Sequence, residues 1–172
     1  MPDYIVEPKS RKDLRHLARV LRRKLQIDSR LWVPIVEILD ILAEIFADFS
    51  YEIVPDNALP RGIHADTDIV TGHIRIKETV YERACDGEGR DRMTIAHEIG
   101  HYFTLRFCGF RLQRNFAHKK VKSYNDPEWQ AKCFAGEFMI GHHLTGTMSP
   151  HEIVKKCGVS LDAAEYQHSH RN

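Results

Sequence analysis

Apolar side chains return at helical spacing twice near the start of the chain. Ser10 has Asp13 three residues on as a reciprocal capping partner, and Leu14, Leu17, Leu21 and Leu25 then mark one helix face. Pro34 fits the first turn of a second helix, whose Ile35, Ile38, Leu39, Leu42, Ile45 and Phe46 form a stripe that Val36 and Ile41 broaden. The period then drops to two. Phe49, Tyr51 and Ile53 alternate with Ser50, Glu52 and Val54 until Pro55 stops the strand. Residues 57–62 read as loop, and Asp68-Ile69-Val70 and His73-Ile74-Arg75-Ile76-Lys77 flank Thr71-Gly72 in the pattern of a hairpin. A second loop at Asp86-Gly87-Glu88-Gly89 precedes three more helix signals. One runs from about 91 to 107, one opens at Asp126-Pro127, and one opens at Ser149-Pro150-His151-Glu152. Gly158 can end the last of these, and Ser160 can cap a short terminal helix.

Helices, a small three-stranded and mainly antiparallel sheet, and helices again make an α+β layout. The 172 residues (20.0 kDa) fit one domain. It divides into a helical N-terminal part (1–48), a core with the sheet (49–140) and C-terminal helices (141–172).

Composition narrows the function classes. With 42% hydrophobic and 28% charged residues, the chain has the balance of a folded globular protein. A net charge of +1 excludes a globally basic nucleic-acid binder. A local basic patch exists: residues 9–30 carry nine Lys/Arg against two Asp. As a solvated helix face it needs no function, and it lacks interleaved aromatic residues for base stacking. No apolar run approaches the ~18 residues of a membrane span, and the N-terminal segment lacks the apolar stretch of a signal peptide. Cys85, Cys108, Cys133 and Cys157 are widely spaced with no CxxC pair, so free thiols and a cytoplasmic setting are expected. Eleven histidines, by contrast, is a high count for this length.

The histidines matter most in Thr94-Ile95-Ala96-His97-Glu98-Ile99-Gly100-His101. On a helix, His97 and His101 stand one turn apart on one face and can reach one metal ion, while Glu98 projects beside them. That is the arrangement of a zinc peptidase, in which the glutamate takes a proton from the attacking water. Met93, Ala96, Gly100, Phe103 and Phe107 supply an apolar stripe, and Gly100 suggests close approach by another element. A catalytic zinc site needs a third protein ligand. Glu128 lies 27 residues beyond His101 in the first turn of the next helix, with Ala131, Ala135 and Phe138 continuing its face. Glu137 falls on the opposite side, Gln130 is directed away, His118 lies in a basic irregular stretch, and His142 and His143 lie past the helix end.

Taken together these residues resemble the ImmA/IrrE-type zinc metallopeptidases, relatives of the minimal gluzincins. The resemblance covers most of the chain. It rests on the basic leading helix, the apolar second helix, the short sheet, the run from Met93 to His101, and Glu128-Trp129-Gln130-Ala131-Lys132-Cys133-Phe134-Ala135 as the second motif. Gly158-Val159-Ser160 with Ala163-Ala164 resembles the family's C-terminal helix pair. The resemblance implies zinc held by His97, His101 and Glu128, Glu98 as general base and then general acid, and limited cleavage of a regulatory protein, typically a helix-turn-helix repressor or an antitoxin. Lys132 departs from it, standing where relatives carry Asn or Asp that can orient a metal-bound histidine. Lysine accepts no hydrogen bond, and it could instead pair with Glu128 at i,i+4.

Weaker features complete the reading. Tyr166 is a candidate oxyanion-stabilising phenol or a packed tyrosine. The C-terminal helices form either a wall of the peptidase or a helix-turn-helix, but residues 161–167 carry no Arg or Lys to read bases. His168 and His170 belong to a tail. The substrate is expected to lie extended along an edge strand of the sheet at His73–Lys77. A catalytically weak zinc-binding regulatory module and a DNA-binding protein using the basic first helix are the rival functions.

Overall fold

A computed structural model describes residues 4–107, 113–114 and 121–171. Helix α1 (Arg11–Lys24) opens on the expected capping box: Ser10 Oγ accepts from the Asp13 amide, and the Ser10 amide donates to Asp13 Oδ2 at 2.8 Å. Its inner face is Leu14, Ala18 and Leu21, with Arg22 buried among them. The guanidinium of Arg22 donates to the carbonyls of Phe138 (2.6 Å), Ile27 (3.2 Å) and Arg30, so one cation ties the α1–α2 connection to the last turn of the helix at 127–139. Helix α2 (Ile35–Ile45) has Pro34 as its cap and buries Ile35, Ile38, Leu39 and Leu42. Of the rest of the expected stripe, Val36 and Phe46 are partly buried against the core, whereas Ile41 and Ile45 are exposed.

Among the described residues, five strands form two sheets. Short β1 (Tyr4–Ile5) pairs antiparallel with β5 (Gln113–Arg114). The main sheet has β2 (Ser50–Val54), β3 (Ala65–Asp68) and β4 (His73–Lys77) in the order β2-β4-β3. β3 and β4 are antiparallel with Thr67 opposite Ile74, whereas β2 and β4 are parallel with Tyr51 opposite Ile74. The sheet is therefore mixed rather than mainly antiparallel. The hairpin occupies one side of β4, and connection 55–64 delivers β2 to the other side in the parallel sense. His73–Lys77 is thus the central strand and not an edge; the edge strands are β2 and β3, and β3 is the one that lines the cleft beside His97 and Glu98. β3 also starts three residues earlier, and ends two earlier, than the hydrophobic pattern indicates. Asp68 Oδ1 accepts from the amides of Val70 (2.8 Å) and Thr71 (3.3 Å), turning the chain before Val70 can pair.

Helix α3 (Glu78–Cys85) is absent from the sequence expectation, which ran from strand to loop; it buries only Val80 and Ala84. Helix α4 (Gly89–His101) continues into a π-helical turn, Tyr102–Phe107. Ile95, Ala96, Ile99 and Gly100 are buried, so α4 is a central element. Arg92 on it stacks 3.9 Å from Trp32 and donates to the carbonyls of Gly158 and Val33. Helix α5 (Pro127–Met139) starts as expected, with Asp126 accepting from the Glu128 amide at 2.9 Å and Pro127 in the first turn. It crosses α4 where Gly100 sits: a Cβ there would lie 2.6 Å from the Ala131 carbonyl oxygen. That contact is the packing reason for a glycine inside a helix.

The chain closes with α6 (His142–Thr145), α7 (Pro150–Ile153) and α8 (Leu161–Ser169). Ser149 and Glu152 make a second capping box, and Gly158, at φ +64°, ends the π-helical extension of α7. The architecture is α+β, eight α-helices around a small mixed sheet among the described residues. No described helix is long and apolar enough to cross a membrane.

Candidate metal centre

The site forms where α4 and α5 approach through Gly100. His97 and His101 project from α4 with their rings edge-on, centroids 4.6 Å apart. Glu128, from the first turn of α5, faces both. His97 Nε2 and His101 Nε2 are 3.0 Å apart, Glu128 Oε2 is 3.2 Å from His97 Nε2, and Glu128 Oε1 is 3.3 Å from His101 Nε2. A metal with ligand bonds of about 2.0–2.1 Å in tetrahedral geometry needs its ligand atoms about 3.3 Å apart. These three residues fit that requirement, with all ligand atoms inside 4.8 Å of one another, and could hold a metal ion.

The electrostatics follow from the geometry. Hydrogen bonds from His101 and then His97 hold the Glu128 carboxyl well below the usual carboxylate range, although its side chain is 65% exposed. Burial pulls the His101 imidazole down, but the hydrogen bond and charge of Glu128, with Glu98 and Asp126 adding, outweigh it and leave His101 above its ordinary value. The donor set is two imidazoles and one ionised carboxylate, which suits a borderline divalent cation.

Glu98 is buried beside these three residues and is not a member of the group that could hold an ion. Its Oε2 accepts from Thr67 Oγ1 at 2.7 Å, and the same hydroxyl lies 3.2 Å from the Glu98 carbonyl oxygen. Thr67 is therefore a functional candidate that sequence reasoning missed, since nothing local marks a threonine on a strand as the partner of a carboxylate 31 residues away. The site opens into a cleft of about 510 Å³ whose walls include Ala65, Asp66 and Thr67 of β3 opposite His97, Glu98, His101 and Glu128. Beyond His101, Tyr102 donates to Asp48 at 2.7 Å and Arg106 donates to the other oxygen at 2.9 Å, fixing the π-helical turn to the loop before β2.

The alternatives for the third ligand sort cleanly. Glu137 is buried on the far side, bound by Arg11 (3.1 Å) and Arg15 (2.9 Å). Gln130 donates to the carbonyls of Glu7 and Tyr124. His143 contacts Asp28, His142 lies beside it on α6, and His118 lies outside the described residues, as does Cys108. His168 and His170 are exposed near the C-terminus.

Lys132 makes no ion pair with Glu128; its Nζ stands 5.6 Å from the centroid of the Tyr166 ring. The i,i+4 pairing does not form because Glu128 is turned to the histidines. The Tyr166 hydroxyl accepts from Arg11 Nη2 at 3.0 Å, so the phenol is engaged away from the metal centre. The basic first helix is only partly a solvated face, because Arg11 and Arg15 hold Glu137, Arg22 is buried, and Arg19 and Arg23 approach Asp28.

No family model and no curated protein sequence matches the chain. Among solved structures, the fold is similar to that of a Mycobacterium tuberculosis transcriptional regulator, with a TM-score of 0.57 at 13% identity. The match covers 88% of this chain and 45% of that one, so the chain spans under half the length of the protein it resembles. At that identity the likeness concerns the fold alone.

Proposed function

We propose that this chain is a zinc-dependent endopeptidase of the ImmA/IrrE type that cleaves a regulatory protein, a helix-turn-helix repressor or an antitoxin. The observation that carries the proposal is the convergence of His97, His101 and Glu128 on one point, with a buried, non-coordinating Glu98 at its side. Zinc held there would polarise a peptide carbonyl and lower the pKa of a coordinated water towards ~7. Glu98 takes the proton of the attacking water and returns it to the leaving amine. Thr67 fixes the Glu98 carboxylate by donating to Oε2, leaving Oε1 for that proton. The free edge of β3 along the cleft suits an extended substrate backbone, added as a further strand. The cytoplasm is the setting this reading requires.

The experiment pairs zinc content with cleavage. Purified wild type should carry about one zinc per chain, and His97→Ala and His101→Ala should lose it. Glu98→Gln should keep zinc, fold and partner binding, while cleavage of the candidate repressor falls by about 10²–10⁴-fold or more. Full zinc retention in both histidine variants would remove the site. Lys132, at a position where the resembling family carries Asn or Asp, favours a second reading: a regulatory module that binds zinc and partner without cutting. Equal partner binding by wild type and Glu98→Gln, with no cleavage by either after zinc loading, selects that reading. Lys132→Asn should then raise zinc affinity or turnover if the lysine is what impairs the site.

A further inference from the structure

A second cavity, about 590 Å³, adjoins the metal centre between α4, α5 and α8. It shares Thr94 and His97 with the first, so a chain lying across the metal centre has access to both. Its inner surface is small and mostly apolar, Met93, Ala135, Gly136 and Ala163, with Ser160 and the buried Gln167 as its polar members. Its rim is not. Arg90 and Lys132 stand on it, both exposed, and among the described residues neither makes an ion pair. Asp162 and Tyr166 complete the rim. Tyr166 is held in place by its bond from Arg11, and its ring lies beside Lys132 Nζ. The nearest buried acid on the same helix, Glu137, is already matched by Arg11 and Arg15. The cavity thus combines largely apolar walls with a rim in which Arg90 and Lys132 outnumber the one carboxylate of Asp162, next to His97 of the candidate metal centre.

We propose that this cavity receives the side chain of the substrate residue flanking the scissile bond, and that it selects a glutamate. Met93 and the alanines take the methylenes, and Lys132 with Arg90 pairs the carboxylate. Aspartate has the charge without the reach, and leucine has the bulk without the charge. The placement beside the scissile bond rests on the peptidase reading; the preference for an acidic side chain does not.

Two measurements on the full chain separate these. Zinc-loaded wild type, Lys132→Glu, Arg90→Glu with Lys132→Glu, and Lys155→Glu are incubated with a degenerate peptide library, and the products are sequenced by mass spectrometry. In parallel, fluorescence anisotropy reads binding of labelled peptides, differing only as Glu or Lys at one position, to the same proteins carrying Glu98→Gln. Wild type should favour Glu over Lys at one flanking position by at least about tenfold, from attraction of opposite charges at partly exposed sites. Lys132→Glu, which leaves Arg90 against two carboxylates, should erase or reverse that preference, the double variant should invert it fully, and Lys155→Glu, which reverses an exposed charge outside the cavity, should leave it intact. Cleavage without an acidic preference, or an equal response to Lys155→Glu, overturns the cavity's role and leaves the peptidase standing. If no protein cuts, the peptidase reading fails and anisotropy decides the cavity. Tighter binding of the Glu peptide, reversed by the double variant, upholds it; equal binding of both peptides overturns it.

Discussion

Helix α5 carries a glutamate near each end, and the two have opposite fates. Glu128, in the first turn, is largely exposed and faces two imidazoles at 3.2 and 3.3 Å. Glu137, nine residues on, is fully buried and clamped by Arg11 and Arg15. Both are satisfied, but by different chemistry. A guanidinium stays protonated at any working pH and offers no lone pair, so the Glu137 cluster is a permanent internal ion pair that fixes α1 on α5. An imidazole gives up its proton near neutrality and then presents a lone pair, so the Glu128 cluster can exchange protons for a metal cation. One end of the helix is a fastener and the other is a candidate metal site.

The largest expected effect tests the fastener. Glu137→Ala leaves two arginines facing a buried void, and breaking a buried pair by removing one partner costs about 3–5 kcal/mol. Both arginine side chains retain some exposure, 15% and 26%, which places the loss near the lower end. Urea unfolding should show it, while the fraction that remains folded still binds zinc with unchanged stoichiometry. A variant that is fully stable but free of metal would exchange the roles of the two glutamates. Next comes the hinge between the ends. Gly100→Ala puts a methyl 2.6 Å from the Ala131 carbonyl oxygen, against backbone that cannot swing aside. Overpacking of this kind costs about 1–3 kcal/mol. Because it pushes α5 from α4, it should also weaken zinc affinity, whereas Gly146→Ala, with open space around the glycine, should change neither.

The same contrast explains what could be read from the sequence. Helix starts were legible where the signal is local: Ser10, Asp126, Ser149 and Ser160 each accept a hydrogen bond within three residues of themselves. The convergence of His97, His101 and Glu128 was legible because the three lie on two helices whose phase could be read from the sequence. Helix α3 was not, since two buried positions make no stripe. The sheet order was not, because parallel pairing of β2 with β4 depends on where a long connection goes rather than on any residue within it. Arg22, part of the basic face expected to be solvated, is buried, and so is Arg92 on α4; their donors are taken by carbonyls that only tertiary folding brings near. The bond from Thr67 to Glu98 belongs to the same class.

The smallest effects should come from the exposed end. Without metal, Glu128→Ala should abolish zinc binding yet alter unfolding free energy by under about 1 kcal/mol, as expected for a largely exposed ion pair. Its pH dependence has a definite sign. The Glu128 carboxyl sits below its ordinary value of 4.5, so its contribution is present above 4.5 and fades as pH falls towards the depressed value. His101 sits above its ordinary value of 6.5, so its contribution is present below 6.5 and fades as pH rises through the raised value. The metal-free protein should therefore gain from this pair most fully between 4.5 and 6.5, a window that Glu128→Gln removes. Zinc reverses the slope on the alkaline side. Binding requires His101 to lose its proton, so zinc affinity should climb through the pH range in which the apo pair weakens. Urea midpoints of apo and zinc-loaded protein, taken across pH 4 to 8 for wild type and Glu128→Gln, read both slopes. Parallel curves for the two proteins would mean that Glu128 does not face the histidines in solution.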